Sequence, residues 1–190
     1  HSGVTLEGTV RWWELNCPLI TTNHMASFPD NTCGCGTSAT CTNLCRFDAF
    51  YLFKLETGAT IQNIRIRGPH CNYQDYNMGN ILSGGIYVVQ PNSTTPPVSA
   101  NILNCEISCF NRSGIWKTDA PVLTNIENCY VHKVKGQSYT GIGYGAWLMG
   151  DAFNNPRQLI NFTNCIFDDC KAAIDGQGDP MDWSITKCIF

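Results

Sequence analysis

Charge is scarce in this chain: 14% of its 190 residues are Asp, Glu, Lys or Arg, with 12 basic against 15 acidic. That balance leaves no basic stripe to neutralise a phosphate backbone, so nucleic acid is not an expected partner. Long apolar runs are missing too. The longest candidate, Ala49-Phe50-Tyr51-Leu52-Phe53, is strand-sized and far short of the ~18 residues that suggest a membrane span. Helical periodicity is absent. Metal-finger spacing is absent as well: Cys33-x-Cys35-x5-Cys41-x3-Cys45 is no paired C-x2-C array, and no two of the four histidines lie close together. The chain opens on His1 without a signal-peptide apolar core and closes on Cys188-Ile189-Phe190, which reads as mid-strand. The expectation is a fragment of a longer chain.

What is present points to an oxidising compartment. Twelve cysteines is a high count, and without metal spacing they suit disulfides in a secreted protein. Three sequons add to that reading and nominate Asn92, Asn111 and Asn161 for glycosylation. The expected location is extracellular.

A repeat sets the fold class. Ile61-Gln62-Asn63-Ile64-Arg65-Ile66 recurs as Ile102-Leu103-Asn104-Cys105-Glu106-Ile107, as Ile126-Glu127-Asn128-Cys129-Tyr130-Val131 and as Phe162-Thr163-Asn164-Cys165-Ile166-Phe167. A last copy, Ile185 to Phe190, places Lys187 where the others have Asn. Successive motif positions are 41, 24, 36 and 23 residues apart, which implies a coil of about 23 residues with loops inserted into some coils. The period-2 alternation of a strand breaks at the Asn. A strand–bend–strand corner explains the break, because Asn tolerates the left-handed backbone of such a bend. Stacked coils then align Asn63, Asn104, Asn128 and Asn164. The inward columns are Ile64, Cys105, Cys129, Cys165 and Cys188, and beside them Ile66, Ile107, Val131, Phe167 and Phe190.

Gly85-Ile86-Tyr87, Gly114-Ile115-Trp116, Gly145-Ala146-Trp147 and Ala173-Ile174-Asp175 read as the next strand of each coil, entered through a small residue. The prediction is an all-β, right-handed parallel β-helix over residues 1–190, with regular coils over 50–190. Residues 14–48 form a Cys-rich excursion held by disulfides among Cys33, Cys35, Cys41 and Cys45, with Cys17 and Cys71 pairing with each other or with that knot. The stacked thiols have two readings: small buried hydrophobes, or, for Cys109 and Cys170, disulfides to neighbouring coils.

From about residue 50 onward, the Asn-Cys-x-[Ile/Val/Phe] strand, the Gly-Ile-[Tyr/Trp] strand, Gly141-Ile142-Gly143-Tyr144-Gly145 and Ala173-Ile174-Asp175-Gly176 resemble secreted β-helix proteins of the pectin-lyase-like superfamily. The resemblance implies a parallel β-helix and a setting in which polysaccharide lyases and glycoside hydrolases are common, beside purely structural members. No stretch matches a catalytic motif of that superfamily.

Outward positions form columns as well: Arg65, Glu106, Tyr130 and Ile166, and next to them Arg67, Ser108, His132 and Asp168. Glu106, His132 and Asp168 offer acid and base groups, Arg65 and Arg67 suit an acidic sugar, and Tyr130 suits stacking on a pyranose. A solvated sheet face carries the same mixture. Asp168, Asp169 and Asp175, with Asp179 and Asp182 nearby, are hard oxygen donors of the kind Ca²⁺ takes, although their spacing fits no calcium loop; no other cofactor is expected. Trp12, Trp13, Trp116, Trp147 and Trp183 are candidates for sugar platforms or for packing. The expected partners are a polysaccharide and, through coil ends, other copies. The functional expectation is binding or processing of polysaccharide along the coil face. The alternative is a structural component of an extracellular fibre, wall or adhesin.

Overall fold

The computed structural model describes residues 5–7, 19–21, 50–56, 58–68, 71, 83–89, 99–117, 123–136, 143–149, 158–177 and 181–190. These are strands joined by bends, turns and irregular links, with no helix among them. Strands follow one another in rounds of three. The first round is β1 (Thr5–Glu7), β2 (Leu19–Thr21) and β3 (Phe50–Glu56), and the second is β4 (Thr60–Gln62), β5 (Arg65–Arg67) and β6 (Ser83–Val89). The third is β7 (Ala100–Leu103), β8 (Glu106–Ser108) and β9 (Ser113–Lys117), and the fourth is β10 (Thr124–Glu127), β11 (Tyr130–His132) and β12 (Tyr144–Met149). The fifth is β13 (Gln158–Thr163), β14 (Ile166–Asp168) and β15 (Ala172–Gln177), and β16 (Met181–Thr186) opens another. Each round gives one strand to each of three parallel sheets: β1-β4-β7-β10-β13-β16 (sheet one), β2-β5-β8-β11-β14 (sheet two) and β3-β6-β9-β12-β15 (sheet three).

The corner between sheets one and two is where the alternation breaks. Asn63, Asn104, Asn128 and Asn164 have φ of 56°, 52°, 53° and 53°, and Lys187 follows at 53°. Asn pays less than a branched residue for this left-handed backbone, and its amide adds a ladder contact: Asn128 Nδ2 donates to Asn104 Oδ1 at 3.1 Å. The backbone joins the rounds here too, as Asn104 N donates to Glu127 O at 2.8 Å and Asn128 N to Thr163 O at 2.9 Å. A second left-handed column, unseen in the sequence, turns the chain out of sheet two at Cys109, Lys133 and Asp169, with φ of 65°, 54° and 51°.

Inward residues of all three sheets meet in one core. Ile61, Ile102, Ile126 and Phe162 are buried from sheet one, Ile66, Ile107, Val131 and Phe167 from sheet two, and Ile86, Ile115 and Ala146 from sheet three. Each large side chain so buried contributes about 1.5–3 kcal/mol. The glycines that start the sheet-three strands are required by close approach. A Cβ on Gly114 would lie 2.7 Å from Val131 Cγ1 and 2.8 Å from the Gly145 carbonyl oxygen. Gly143, at φ 106°, makes the tight turn before β12.

Two expectations change. The interval 14–48 is not one uninterrupted excursion, because Leu19–Thr21 pairs with Arg65–Arg67 as β2. Cys71 pairs with neither Cys17 nor the knot; it forms a disulfide with Cys109 across 38 residues, Cα–Cα 4.6 Å. The disulfide reading of the thiols holds for Cys109 but not for Cys170, and the stacked column keeps its thiols. Cys109 is bridged, whereas Cys105, Cys129, Cys165, Cys170 and Cys188 are free. In the stacked column, Cys105, Cys129 and Cys165 donate to the carbonyl two residues back at 3.3–3.4 Å. Cys17, Cys33, Cys35, Cys41 and Cys45 lie outside the described residues.

Candidate functional site

The outward face of sheet two carries the residues nominated for chemistry. Strand register aligns Arg65 with Glu106, Glu106 with Tyr130 and Tyr130 with Ile166. In the adjacent column it aligns Arg67, Ser108, His132 and Asp168. Neighbouring strands lie ~4.8 Å apart, so long side chains reach across and diagonally. Arg65 Nε donates to Glu106 Oε2, and His132 Nε2 meets Glu106 Oε1 at 2.9 Å. Tyr130 OH donates to Asp168 Oδ2 at 3.0 Å, and the Tyr130 ring stacks on His132 with centroids 4.1 Å apart.

Electrostatics follow from these contacts. Partial burial pushes the Glu106 carboxyl up, but the hydrogen bonds from His132 and Arg65 and the Arg65 charge outweigh it. The result is a pKa below the usual carboxylate range. Glu106 is thus a held anion with both oxygens engaged. An ionised Glu106 accepts the proton on His132 Nε2, which assigns that tautomer and leaves Nδ1 as the second ring nitrogen. Tyr130 is pushed up to about 12 by burial and by its bond to Asp168, so it stays a neutral donor at physiological pH.

This arrangement limits the chemistry. A glycosidase pair needs one carboxyl kept protonated as the acid, and Glu106 is shifted the other way. Ser108 sits beside His132 in register but is buried, and it makes no hydrogen bond to His132 among the described residues; a nucleophile must touch its base. Arg67 Nε points to the Cys71 sulfur at 2.8 Å. The nominated aspartates do not converge: Asp168 accepts from Tyr130, Asp169 pairs with Lys135, and Asp175 accepts from Gln177 at 2.7 Å. No group of three or more His, Cys, Asp or Glu stands ready for a metal ion among the described residues.

Two further faces go beyond the sequence reading, which marked only Trp116 and Trp147 of the first as platform candidates. On sheet three, Tyr51, Tyr87, Trp116 and Trp147 stack with centroids 4.5–5.6 Å apart, and the Arg112 guanidinium lies 5.0 Å from each indole. Trp116, Trp147 and Arg112 are buried, so these indoles pack and are not open platforms. Tyr51 reaches Ser113 through its hydroxyl at 3.0 Å, and burial drives its pKa far above the usual tyrosine value. Trp183 is exposed, while Trp12 and Trp13 lie outside the described residues. On sheet one, an outward amide ladder runs through Asn101, Asn125 and Asn161. The interval that reveals it is an Asn three residues before the bend Asn, at 101/104, 125/128 and 161/164.

That ladder bears on the sequons. Asn161 Nδ2 donates to Asn125 Oδ1 at 3.1 Å. Asn111 is buried, with its Oδ1 accepting from Ser83 N at 2.8 Å. A glycan on Asn161 would take one of the two N–H groups of the nitrogen that makes this contact, and one on Asn111 would have to leave from a buried side chain. Asn92 lies outside the described residues. Comparison with family models, with curated proteins and with solved structures finds no match.

Proposed function

We propose that this chain is a right-handed parallel β-helix of the pectin-lyase-like kind, exported to an oxidising space, that binds polysaccharide along its long face. The three-strand rounds support the helical reading, and parallel crossovers are right-handed in nearly all proteins. The observation that carries the binding reading is the outward strip of sheet two, where Arg65, Glu106, Tyr130, His132 and Asp168 stand on adjacent strands in mutual contact. A planar guanidinium beside stacked rings suits a uronate-bearing glycan, which offers a carboxylate and an apolar sugar face. Binding without cleavage fits the held anion at Glu106.

The test is affinity electrophoresis of the purified chain through gels containing polygalacturonate, with product release followed in parallel. Retardation that falls at least fivefold in Arg65→Ala, without product, is the expected result. Product release would make the chain an enzyme. No retardation would sink the binding reading and leave a structural rod, which is favoured by one observation: the Arg65 charge is paired with Glu106, whose second oxygen is taken by His132.

A further inference from the structure

The outward face of sheet one has a hollow of about 300 Å³, lined by Asn101, Leu103, Asn125, Glu127, Asn161 and Thr163 among others. Its floor is the amide ladder. Asn101 Nδ2 donates to Thr60 Oγ1 at 3.2 Å, Asn125 Nδ2 to Asn101 Oδ1 at 3.0 Å, and Asn161 Nδ2 to Asn125 Oδ1 at 3.1 Å. A primary amide has two N–H donors and an oxygen with two lone pairs. The ladder uses one donor of each Asn and one lone pair each of Asn101 and Asn125. Among the described residues the second donor of each is left over, as are oxygen lone pairs, all three side chains are half-buried, and the same set repeats every ~4.8 Å along the stack.

We propose that this hollow is a second carbohydrate site, distinct from the sheet-two strip, that takes an extended neutral polysaccharide lying along the stack. The proposal rests on the reading of the chain as a polysaccharide binder but assigns a different face and a different sugar class. Repeated amides match repeated hydroxyls, since each hydroxyl both donates and accepts. Charge selects against uronates: the described lining contains the carboxylate of Glu127 and no cation. Leu103 supplies an apolar flank for a sugar ring, and the volume is at the lower limit of ordinary ligand sites. All three ladder bonds run from the later round to the earlier one. The face therefore has a polarity, and a bound chain takes one direction on it.

The experiment is affinity electrophoresis with hydroxyethylcellulose and galactomannan as neutral probes and polygalacturonate as the acidic one, at low and high salt. Wild type is expected to be retarded by a neutral probe with little salt dependence, since no ion pair is involved. Leu103→Arg fills the flank without touching the ladder, and it is expected to weaken neutral binding at least tenfold. Asn125→Ala interrupts the ladder and is expected to do the same, with its fold checked by thermal denaturation; Leu103→Arg keeps the test valid if Asn125→Ala does not fold. Neutral binding that survives Leu103→Arg overturns the site. Retention by polygalacturonate alone overturns it while the sheet-two reading stands. Retention by no polysaccharide ends both.

Discussion

Glu106 is the residue on which the character of the sheet-two strip depends. Its side chain is 13% exposed, it accepts from Arg65 and His132, and its pKa lies below that of a free carboxyl. A carboxyl shifted down on folding stabilises the fold above its unfolded pKa, ~4.3 for Glu, and that contribution disappears as pH falls through the folded value. Glu106→Gln is therefore expected to cost about 1–2 kcal/mol near pH 7, because it leaves Arg65 and His132 without their shared anion. The difference from wild type should shrink as pH drops below about 4. Denaturant midpoints measured from pH 7 to pH 3 check both the size and the direction. A difference that grows on acidification would show Glu106 to be held protonated in the fold, and would restore it as a general acid.

At the scale of the element, the bend between sheets one and two separates two roles of one residue. Asn128 supplies a left-handed backbone at φ 53° and an amide that donates to Asn104. Asn128→Gly keeps the first and loses the second, at about 1 kcal/mol. Asn128→Ala loses both and is expected to cost about 1–2 kcal/mol more. Equal losses in a urea titration would mean that the backbone conformation contributes nothing. At the entry to β9, Gly114→Ala drives a methyl against Val131 and the Gly145 carbonyl, and about 2–3 kcal/mol of destabilisation is expected from that overpacking.

The bends also mark the boundary of what was legible in the sequence. The first bend could be read because four Asn share it and the inward parity flips there, and the outward columns of sheet two followed with their register intact. The second bend could not be read, because Cys109, Lys133 and Asp169 have nothing in common except their φ. The sheet-three cluster stayed hidden for a related reason. Trp116 and Trp147 were visible as a repeat, but Tyr51 reaches its stack by lying across Gly84, and Arg112 joins from the turn before β9. No short spacing encodes those partners. The contacts within the strip, such as a diagonal from His132 to Glu106, depend on side-chain reach across strands, which residue order does not carry.

At the scale of the whole molecule, every strand pairs only with the strands of adjacent rounds. Stability in such a stack is close to a sum of rounds and their interfaces. The Cys71–Cys109 disulfide ties the second round to the turn after β8 and closes a 38-residue separation. In the chain-entropy view a loop of that size is worth up to about 4 kcal/mol. Cys71→Ser is expected to lower stability by about 2–4 kcal/mol, with hydrogen exchange rising first in the second and third rounds. Uniform acceleration across all rounds would mean that the molecule unfolds as one unit.

The Trp116–Trp147 stack makes that distinction optically measurable. Two indoles 5.6 Å apart and 17° from parallel, on adjacent rounds, are close enough for their excited states to couple. Such coupling gives a paired band in the far-ultraviolet circular dichroism, where the strong indole transitions lie. The band vanishes once the third and fourth rounds separate, whatever the other rounds are doing. The protein therefore carries an intrinsic spectroscopic gauge at the middle of its stack, and the temperature at which the band disappears reports the cohesion of one interface.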